Sequence, residues 1–354
     1  MILRGHLRRA EAVYAGLAAS LISFGLGVGL PRLVGLWEDE ASHAKTTLEW
    51  MQYGLSYSGS TRGLLMKDDY QGTLKSILLW PSFAVFGPGT TALRLTTLLW
   101  GAAAVGLLTA WAWRRYGRAS GLFVAALVAF DPYLIFNSVF GGSEVLSLLL
   151  KAGAIAALGL WTEGPVALWA ALGAGLLCGL AVWDKAHFVW VLAAAPLALA
   201  VAPRPARGPG LIRRTALFAL GVAAGAAPIL WFNLMHPLTS VVGQARLVDW
   251  PYHDMPKLWA NVRAGLWLSA WNTREPYRIS GAELPSLRHW STALAALGAA
   301  ALAALGAPAR ARREGAAWCV LFAGGFAACA LTPAPVKWHH FMVLYPLPTL
   351  AAAA

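Results

Sequence analysis

The sequence predicts an all-α polytopic membrane protein, a helical bundle of about nine or ten transmembrane helices. Hydrophobic residues make up 58% of the chain and charged residues only 12%, and the mean hydropathy is +0.57. Most of the apolar residues fall in runs of roughly 15 to 20, which is close to the length that crosses a bilayer. Short arginine groups separate these runs, as in the cytoplasmic loops of membrane proteins.

The net charge of +12 does not indicate nucleic-acid binding, because the arginines form no continuous basic face and instead punctuate the apolar runs. Three cysteines lie inside apolar segments without the spacing of a metal site. We interpret them as packing residues and do not expect a disulfide framework.

The first predicted helix runs from about 12 to 30. It follows three arginines, so the N-terminus is expected inside; it lacks a small-residue cleavage site and is interpreted as an uncleaved helix. Residues 31–93 then form a first outer loop. Its apolar patch at 78–87 is either a juxtamembrane or half-inserted helix or a true transmembrane segment. Counting it as a span would place the arginines of 114–118 outside.

The later spans follow in order and alternate in direction. They cover about 95–113, 121–136, 145–161, 166–183, 188–202, 215–234, one segment between a second large outer loop (236–289) and Arg310, and about 316–331. The last apolar run begins at Phe341 and stops at Ala354, too short to finish a span, so the chain is expected to be truncated. The whole chain, 1–354, is expected to form one transmembrane domain.

The most informative stretch follows the first helix and reads Leu36-Trp37-Glu38-Asp39-Glu40-Ala41-Ser42-His43. Acidic residues are scarce, 16 against 28 Lys plus Arg, so three in a row at the mouth of a membrane helix indicate a functional role. Solvation of an outer loop, or capping of the helix that follows, would also explain them. Asp131, beside Pro132 in the third span, is costly in lipid and is a further functional candidate.

This stretch resembles the Asp-Glu motif in the first outer loop of the GT-C glycosyltransferases, closest to the protein O-mannosyltransferases and the bacterial aminoarabinose-type lipid A transferases. Other segments resemble later motifs of that family. The resemblance depends on their order along the chain and on their predicted position on one side of the membrane. These segments are 86–88, 93–95, 100–101, 138–144, 179–185, 228–233 and 337–348.

The resemblance implies an inverting hexosyl- or pentosyltransferase of the bacterial inner membrane with an outward-facing active site. Its donor would be a polyprenyl-phosphate-linked sugar and its acceptor the hydroxyl of a lipid, glycan or protein. Asp39 would act as general base, with Glu40 as a less favoured substitute. Cations at the outer ends of spans would stabilise the leaving phosphate; the candidates are Arg94, Lys185 and Lys337.

A second group of residues is expected at the acceptor side or at a metal site: Asp68, Asp69, Glu144, His339 and His340. No cofactor is certain, and a divalent cation is left open. The alternatives also stand: an exposed turn for Asp68 and Asp69, helix capping for Glu144, snorkelling of Arg94 and Lys185 to lipid headgroups, and an interfacial position for the histidines.

The sequence departs from the family at two places. Asp69-Tyr70-Gln71-Gly72-Thr73-Leu74-Lys75 replaces the His-Pro-Pro segment of the mannosyltransferases, and Glu144 stands where the family has Asp. Both departures leave the donor sugar and metal dependence open. Two other functions therefore remain as alternatives, a non-catalytic assembly subunit with this fold and a transporter or flippase of lipid-linked sugars.

Overall fold

The computed structural model describes residues 2–30, 38–54, 64–139, 144–160, 166–203, 210–236, 239–240, 308–330 and 343–354. These residues form helices and no β-strand, and the only extended pairings among them are two isolated bridges, Met66 with Gly72 and Gln71 with Lys185. The predicted all-α membrane fold is confirmed. Most of the second outer loop, 236–289, and the span after it lie outside the described residues.

The helices follow the predicted order along the chain. They are α1 (Ile2–Gly27), α2 (Glu38–Tyr53), α3 (Leu74–Phe86), α4 (Thr90–Tyr116), α5 (Arg118–Ala129), α6 (Pro132–Val139), α7 (Glu144–Leu158), α8 (Val166–Asp184), α9 (Val189–Val201), α10 (Gly210–Gly225), α11 (Ala227–Met235), α12 (Ala309–Ala330) and α13 (Leu347–Ala353). A single 3-10 turn, Ala186–Phe188, joins α8 to α9.

Within the described residues, three helices are long and apolar enough to cross a membrane. They are the 9–27 part of α1, α4 and α8, and the bent pair α10–α11 makes a fourth if it is one span. Helix α3 has only 13 residues, about 20 Å, which is too short for a hydrocarbon core of about 30 Å. This length favours the juxtamembrane interpretation of the 78–87 patch over a true span.

Two predicted spans are interrupted helices in the structure. The third span breaks after Ala129, and α6 begins at Pro132 with the Asp131 carboxylate accepting a hydrogen bond from the N–H of Leu134 at 3.4 Å. The predicted span 215–234 bends by 60° between α10 and α11. Pro228 lies in the first turn of α11. Proline has no N–H to continue the ladder and clashes with the preceding turn, so each helix ends just before it.

The ends of α4 define the two ends of the bundle. Arg94 lies in its first turns and Arg115 in its last, about 30 Å apart along the helix axis. The helix ends there because Gly117 adopts a φ of 104° and its N–H bonds to Trp113 O, a conformation that suits glycine. Arg115 binds Glu314 of α12, so two arginine groups predicted to share a membrane side do meet at one end.

Small residues let the helices approach closely. In α8 and α10, Gly175 and Gly179 face Phe218 and Val222, and a Cβ on Gly179 would lie 2.3 Å from Val222 O. Moving from Gly175 to Gly179 in α8 moves the contact from Phe218 to Val222 in α10, so the two helices run parallel. Such small-xxx-small contacts are the usual means of tight helix association in lipid. This packing places the C-terminal end of α8 at the end of the bundle that also holds Arg94.

Candidate active site

A buried ion pair joins the acidic motif to the start of α4. The Nε and Nη2 atoms of Arg94 each donate a hydrogen bond to one carboxylate oxygen of Glu40, both at 3.0 Å. Both side chains are fully buried. The two-bond geometry that guanidinium and carboxylate favour therefore fixes the first turn of α2 against α4, and it neutralises two charges that would be costly alone.

A second buried pair lies where α7 begins and α8 ends. Lys185 Nζ donates to Glu144 Oε1, and both side chains are almost fully buried. One turn along α7, Ser147 Oγ donates to the Asp184 carboxylate at 2.8 Å. The i and i+3 residues of α7 share one face, so α7 presents a polar strip to the end of α8. The ring of Tyr70 lies 5.9 Å from Lys185 Nζ.

The segment 64–73 closes the site over the end of α8. Its backbone pairs with residues of that end: Gly72 N–H donates to Asp184 O at 3.2 Å, and Ala186 N–H donates to Tyr70 O at 2.9 Å. The indole of Trp183 donates to Leu65 O at 2.7 Å. These bonds satisfy backbone groups that regular secondary structure leaves unpaired, and they hold the segment in one position.

Three lysines surround a buried histidine of α2. His43 is 1% exposed and its Nδ1 lies 3.3 Å from Ser76 Oγ. Burial first, and then the positive charges of Lys67, Lys75 and Lys185, hold the pKa of His43 well below its usual range. The imidazole is therefore neutral at physiological pH, and the cationic character of the site comes from the lysines.

The lysines themselves are almost removed from solvent. Lys75 is fully buried and Lys185 is 3% exposed, and the Lys67 side chain is 10% exposed and donates to Gln71 Oε1 at 2.7 Å. With Arg94, these side chains put four cations at one end of the bundle. Buried cations at such density are costly unless anions compensate them. The protein places Glu40, Glu144 and Asp184 beside them.

The predicted site residues divide into three groups. Arg94, Glu40, Glu144 and Lys185 meet at this end of the bundle. Asp39 belongs to the first turn of α2, beside Glu40, and the structure describes its place in the helix but not its side chain. Three residues, Lys337, His339 and His340, lie outside the described residues.

Asp68 and Asp69 belong to the turn of the 64–73 segment. The Asp68 carboxylate accepts hydrogen bonds from the N–H groups of Tyr70 and Gln71, at 3.1 and 2.8 Å, so it stabilises that turn. In the described part of the chain, no group of three or more His, Cys, Asp and Glu side chains is placed to hold a metal ion. A cation site formed by Asp68, Asp69 and Glu144 therefore stays a prediction.

Several residues of the site were not singled out from the sequence. His43 and Asp184 lie in stretches noted for other residues, and Lys67, Lys75 and Ser147 carry no short motif, because their partners are far away in the chain. A retrospective signal exists in α7, where Glu144, Ser147 and Lys151 repeat at i, i+3 and i+7 in an otherwise apolar helix. Polar residues on one stripe of a membrane helix indicate a face turned toward protein.

No protein-family model matches the chain, and no curated protein matches it either. Among solved structures, the chain is similar to ArnT from Cupriavidus metallidurans bound to undecaprenyl phosphate, with a TM-score of 0.62 and 16% identity over 96% of this chain. It spans 59% of the length of that ArnT chain. The apo structure of the same ArnT aligns with a TM-score of 0.47 and 17% identity, covering 97% of this chain and 76% of that one.

The helical architecture, the polar cluster at one end of the bundle and the likeness to ArnT agree with one another. At this level of identity the likeness establishes the fold. The chain has the helical membrane fold seen in ArnT.

Proposed function

We propose that this protein transfers a sugar from a polyprenyl-phosphate-linked donor to an acceptor hydroxyl on the extracytoplasmic face, with inversion. The observation that carries the proposal is the set of four cations at one end of a GT-C fold: Lys75, Arg94 and Lys185, which are buried, and Lys67, whose side chain is 10% exposed. A phosphate that leaves as an anion needs such a group of fixed positive charges. ArnT, whose fold is shared, was crystallised with undecaprenyl phosphate.

In the proposed reaction, the acceptor oxygen attacks the anomeric carbon while the bond from that carbon to the phosphate oxygen breaks. Asp39 takes the proton of the acceptor hydroxyl. Its position in the first turn of α2, next to the anchored Glu40, supports this role. The departing phosphate carries the negative charge that the lysines compensate.

The pair Glu40–Arg94 suggests a division of roles between the two acids of the motif. Both oxygens of Glu40 already accept a hydrogen bond from Arg94, and the side chain is fully buried, so Glu40 is poorly placed to reach an acceptor hydroxyl. Glu40 is therefore assigned to positioning of α2, and Asp39 keeps the role of base. Arg94 as a ligand of the donor phosphate stays a prediction, as does Lys337.

The test uses the full chain in lipid nanodiscs with a panel of polyprenyl-phosphate-linked hexoses and pentoses and an extract of envelope acceptors. Acceptor-dependent release of polyprenyl phosphate is the expected result. Substitution Lys75→Met should lower the release rate by about 10²- to 10³-fold, the usual effect of removing one group that stabilises developing charge. Lys45→Met is the matched control, since Lys45 is 75% exposed on α2, and should leave the rate unchanged.

A second function, translocation of the lipid-linked sugar, is favoured by the two interrupted helices, α5–α6 and α10–α11, because transporters often use broken helices. Release of polyprenyl phosphate in the same nanodiscs, and movement of the donor across the bilayer of proteoliposomes, distinguish the two functions. Movement of the donor across the bilayer with its sugar–phosphate bond intact, and no release of polyprenyl phosphate, would replace the transferase proposal.

A further inference from the structure

The end of the bundle opposite the candidate active site carries a strongly basic surface. Six exposed arginines lie there, three around the junction of α4 and α5 and three in the first turns of α12: Arg114, Arg115, Arg118, Arg310, Arg312 and Arg313. The stretches 114–118 and 309–314 contain one acidic residue, Glu314, so six arginines against one glutamate leave a net charge of +5.

Glu314 joins the two groups of arginines into one surface. Arg115 Nε donates to Glu314 Oε2 at 3.1 Å, and Arg115 Nη2 donates to the other oxygen of the same carboxylate. Arg310 Nε also donates to that carboxylate, at 3.4 Å. One carboxylate thus connects the two groups of arginines, and the two stretches together keep a net positive charge.

Aromatic side chains pack α4 and α12 together beneath this surface. Trp318 Nε1 donates to the hydroxyl of Tyr116 at 3.1 Å, and the ring of Trp111 packs edge-on against both, at 5.3 and 5.6 Å. The guanidinium of Arg118 lies 5.9 Å from the ring of Trp113. Arg94 and Arg115 lie about 30 Å apart along α4, close to the thickness of a hydrocarbon core, so the arginines at this end are expected at headgroup depth.

Exposed apolar side chains lie on the same helix faces, one or two turns toward the bilayer centre. Leu122 follows Arg118 by four residues in α5 and is 51% exposed; Leu107 precedes Arg114 by seven in α4 and is 37% exposed. Residues at these spacings share a helix face. The face therefore offers cations at headgroup depth and an apolar surface at acyl-chain depth.

We propose that this surface binds an anionic membrane phospholipid through its phosphodiester headgroup. Arginine suits this ligand because its fork of N–H donors matches two phosphate oxygens. A soluble anion would use the cations alone, whereas a phospholipid also covers Leu107 and Leu122. The lipid would hold α12 against the α4–α5 junction, at the opposite end of the bundle from the proposed chemistry.

The test measures lipid binding to the purified full chain in neutral detergent by native mass spectrometry. Phosphatidylglycerol is expected to bind at least about tenfold tighter than phosphatidylcholine, and the double substitution R312Q/R313Q should remove about tenfold of that affinity. The matched control is R213Q/R214Q, which removes two arginines from the first turns of α10. It should change the affinity for phosphatidylglycerol less than twofold.

Three results would overturn the proposal. Equal affinity for the two lipids would remove the headgroup preference. An equal loss in both double variants would show general attraction to a basic surface instead of a site between α4, α5 and α12. Displacement of bound phosphatidylglycerol by inorganic phosphate at equal concentration would show that the acyl-chain surface takes no part. The four substituted arginines lie outside the candidate active site, so folding of the variants can be checked by their unfolding temperature.

Discussion

At the scale of single residues, the candidate site depends on charges that neutralise each other away from water. Glu40 and Arg94 are both fully buried and Glu144 and Lys185 nearly so. Charge in the interior is tolerated only with a partner of opposite sign, and removal of one member costs far more than removal of both. Each pair joins residues that are 41 or 54 positions apart, so each also fixes one helix against another.

The substitution Arg94→Met should strongly destabilise the protein, because it leaves the Glu40 carboxylate buried without its guanidinium. The expected loss is about 3 to 5 kcal/mol, and the double substitution E40L/R94M should recover most of it. Unfolding in detergent by denaturant measures both. The control is Lys45→Met at the exposed pair with Glu49, which should cost less than about 1 kcal/mol. Equal losses at the two positions would contradict the structural role of Arg94.

The pKa of His43 predicts how stability depends on pH. The pKa of His43 is held well below 6.5 in the folded protein. As the pH falls below about 6.5, the histidine therefore takes up a proton in the unfolded chain but stays neutral in the folded chain. Stability is therefore fully present above that pH and is lost on acidification.

Unfolding temperatures at pH 7.5 and pH 5.0 test this dependence. The drop between the two pH values should be smaller in H43Q than in the wild type. Substitution H236Q is the control, since His236 is exposed at the end of α11, and it should keep the wild-type drop. A drop of the same size in H43Q and the wild type would show that His43 contributes nothing to it.

At the scale of helices, the end of α8 reaches the site because α8 packs closely on α10. The contact uses glycine at Gly175, Gly179, Gly221 and Gly225, where a Cβ would meet the backbone of the partner helix at 2.0 to 2.4 Å. Asp184 ends α8 and Lys185 follows it, so a change in this packing also moves the candidate site.

The substitution Gly179→Ala should destabilise the protein by at least about 1 to 3 kcal/mol, the usual cost of an overpacked contact, because the partner atom is a backbone carbonyl oxygen that cannot turn away. Gly173→Ala in the same helix is the control, since nothing lies within 4 Å of a Cβ there, and it should be neutral or slightly stabilising. Thermal unfolding of both variants measures the difference. Similar unfolding temperatures would mean that α8 and α10 are not in close contact.

The helices were predicted well where hydropathy alone decides them. Hydropathy located α4, α7, α8 and α9 to within a few residues, because apolar composition is what a bilayer selects. It did not locate the breaks before Pro132 and Pro228, since a sliding window averages composition and does not register a lost backbone hydrogen bond. Both prolines were visible in the sequence and were the available signal for these breaks.

At the scale of the whole molecule, the arginine pattern predicted that Arg115 and the arginines of α12 share one end, and the Arg115–Glu314 pair agrees with this. The acidic motif led to Glu40, and span ends led to Arg94 and Lys185. Lys67 and Lys75 were not predicted as site residues, because the folding of 64–73 onto the end of α8 brings them to the site and leaves no periodic trace in the chain.

The proposed function requires that this end of the bundle performs sugar transfer with Asp39 as base. The most direct measurement is the acceptor-dependent release of polyprenyl phosphate by the full chain carrying Asp39→Asn. We expect a rate lower by about 10²- to 10⁴-fold, the usual contribution of a general base, and a rate close to the wild type for Glu49→Gln, which changes an acid of the same helix in a surface pair with Lys45. A rate unchanged in Asp39→Asn, or lowered equally in both variants, would contradict the proposed function.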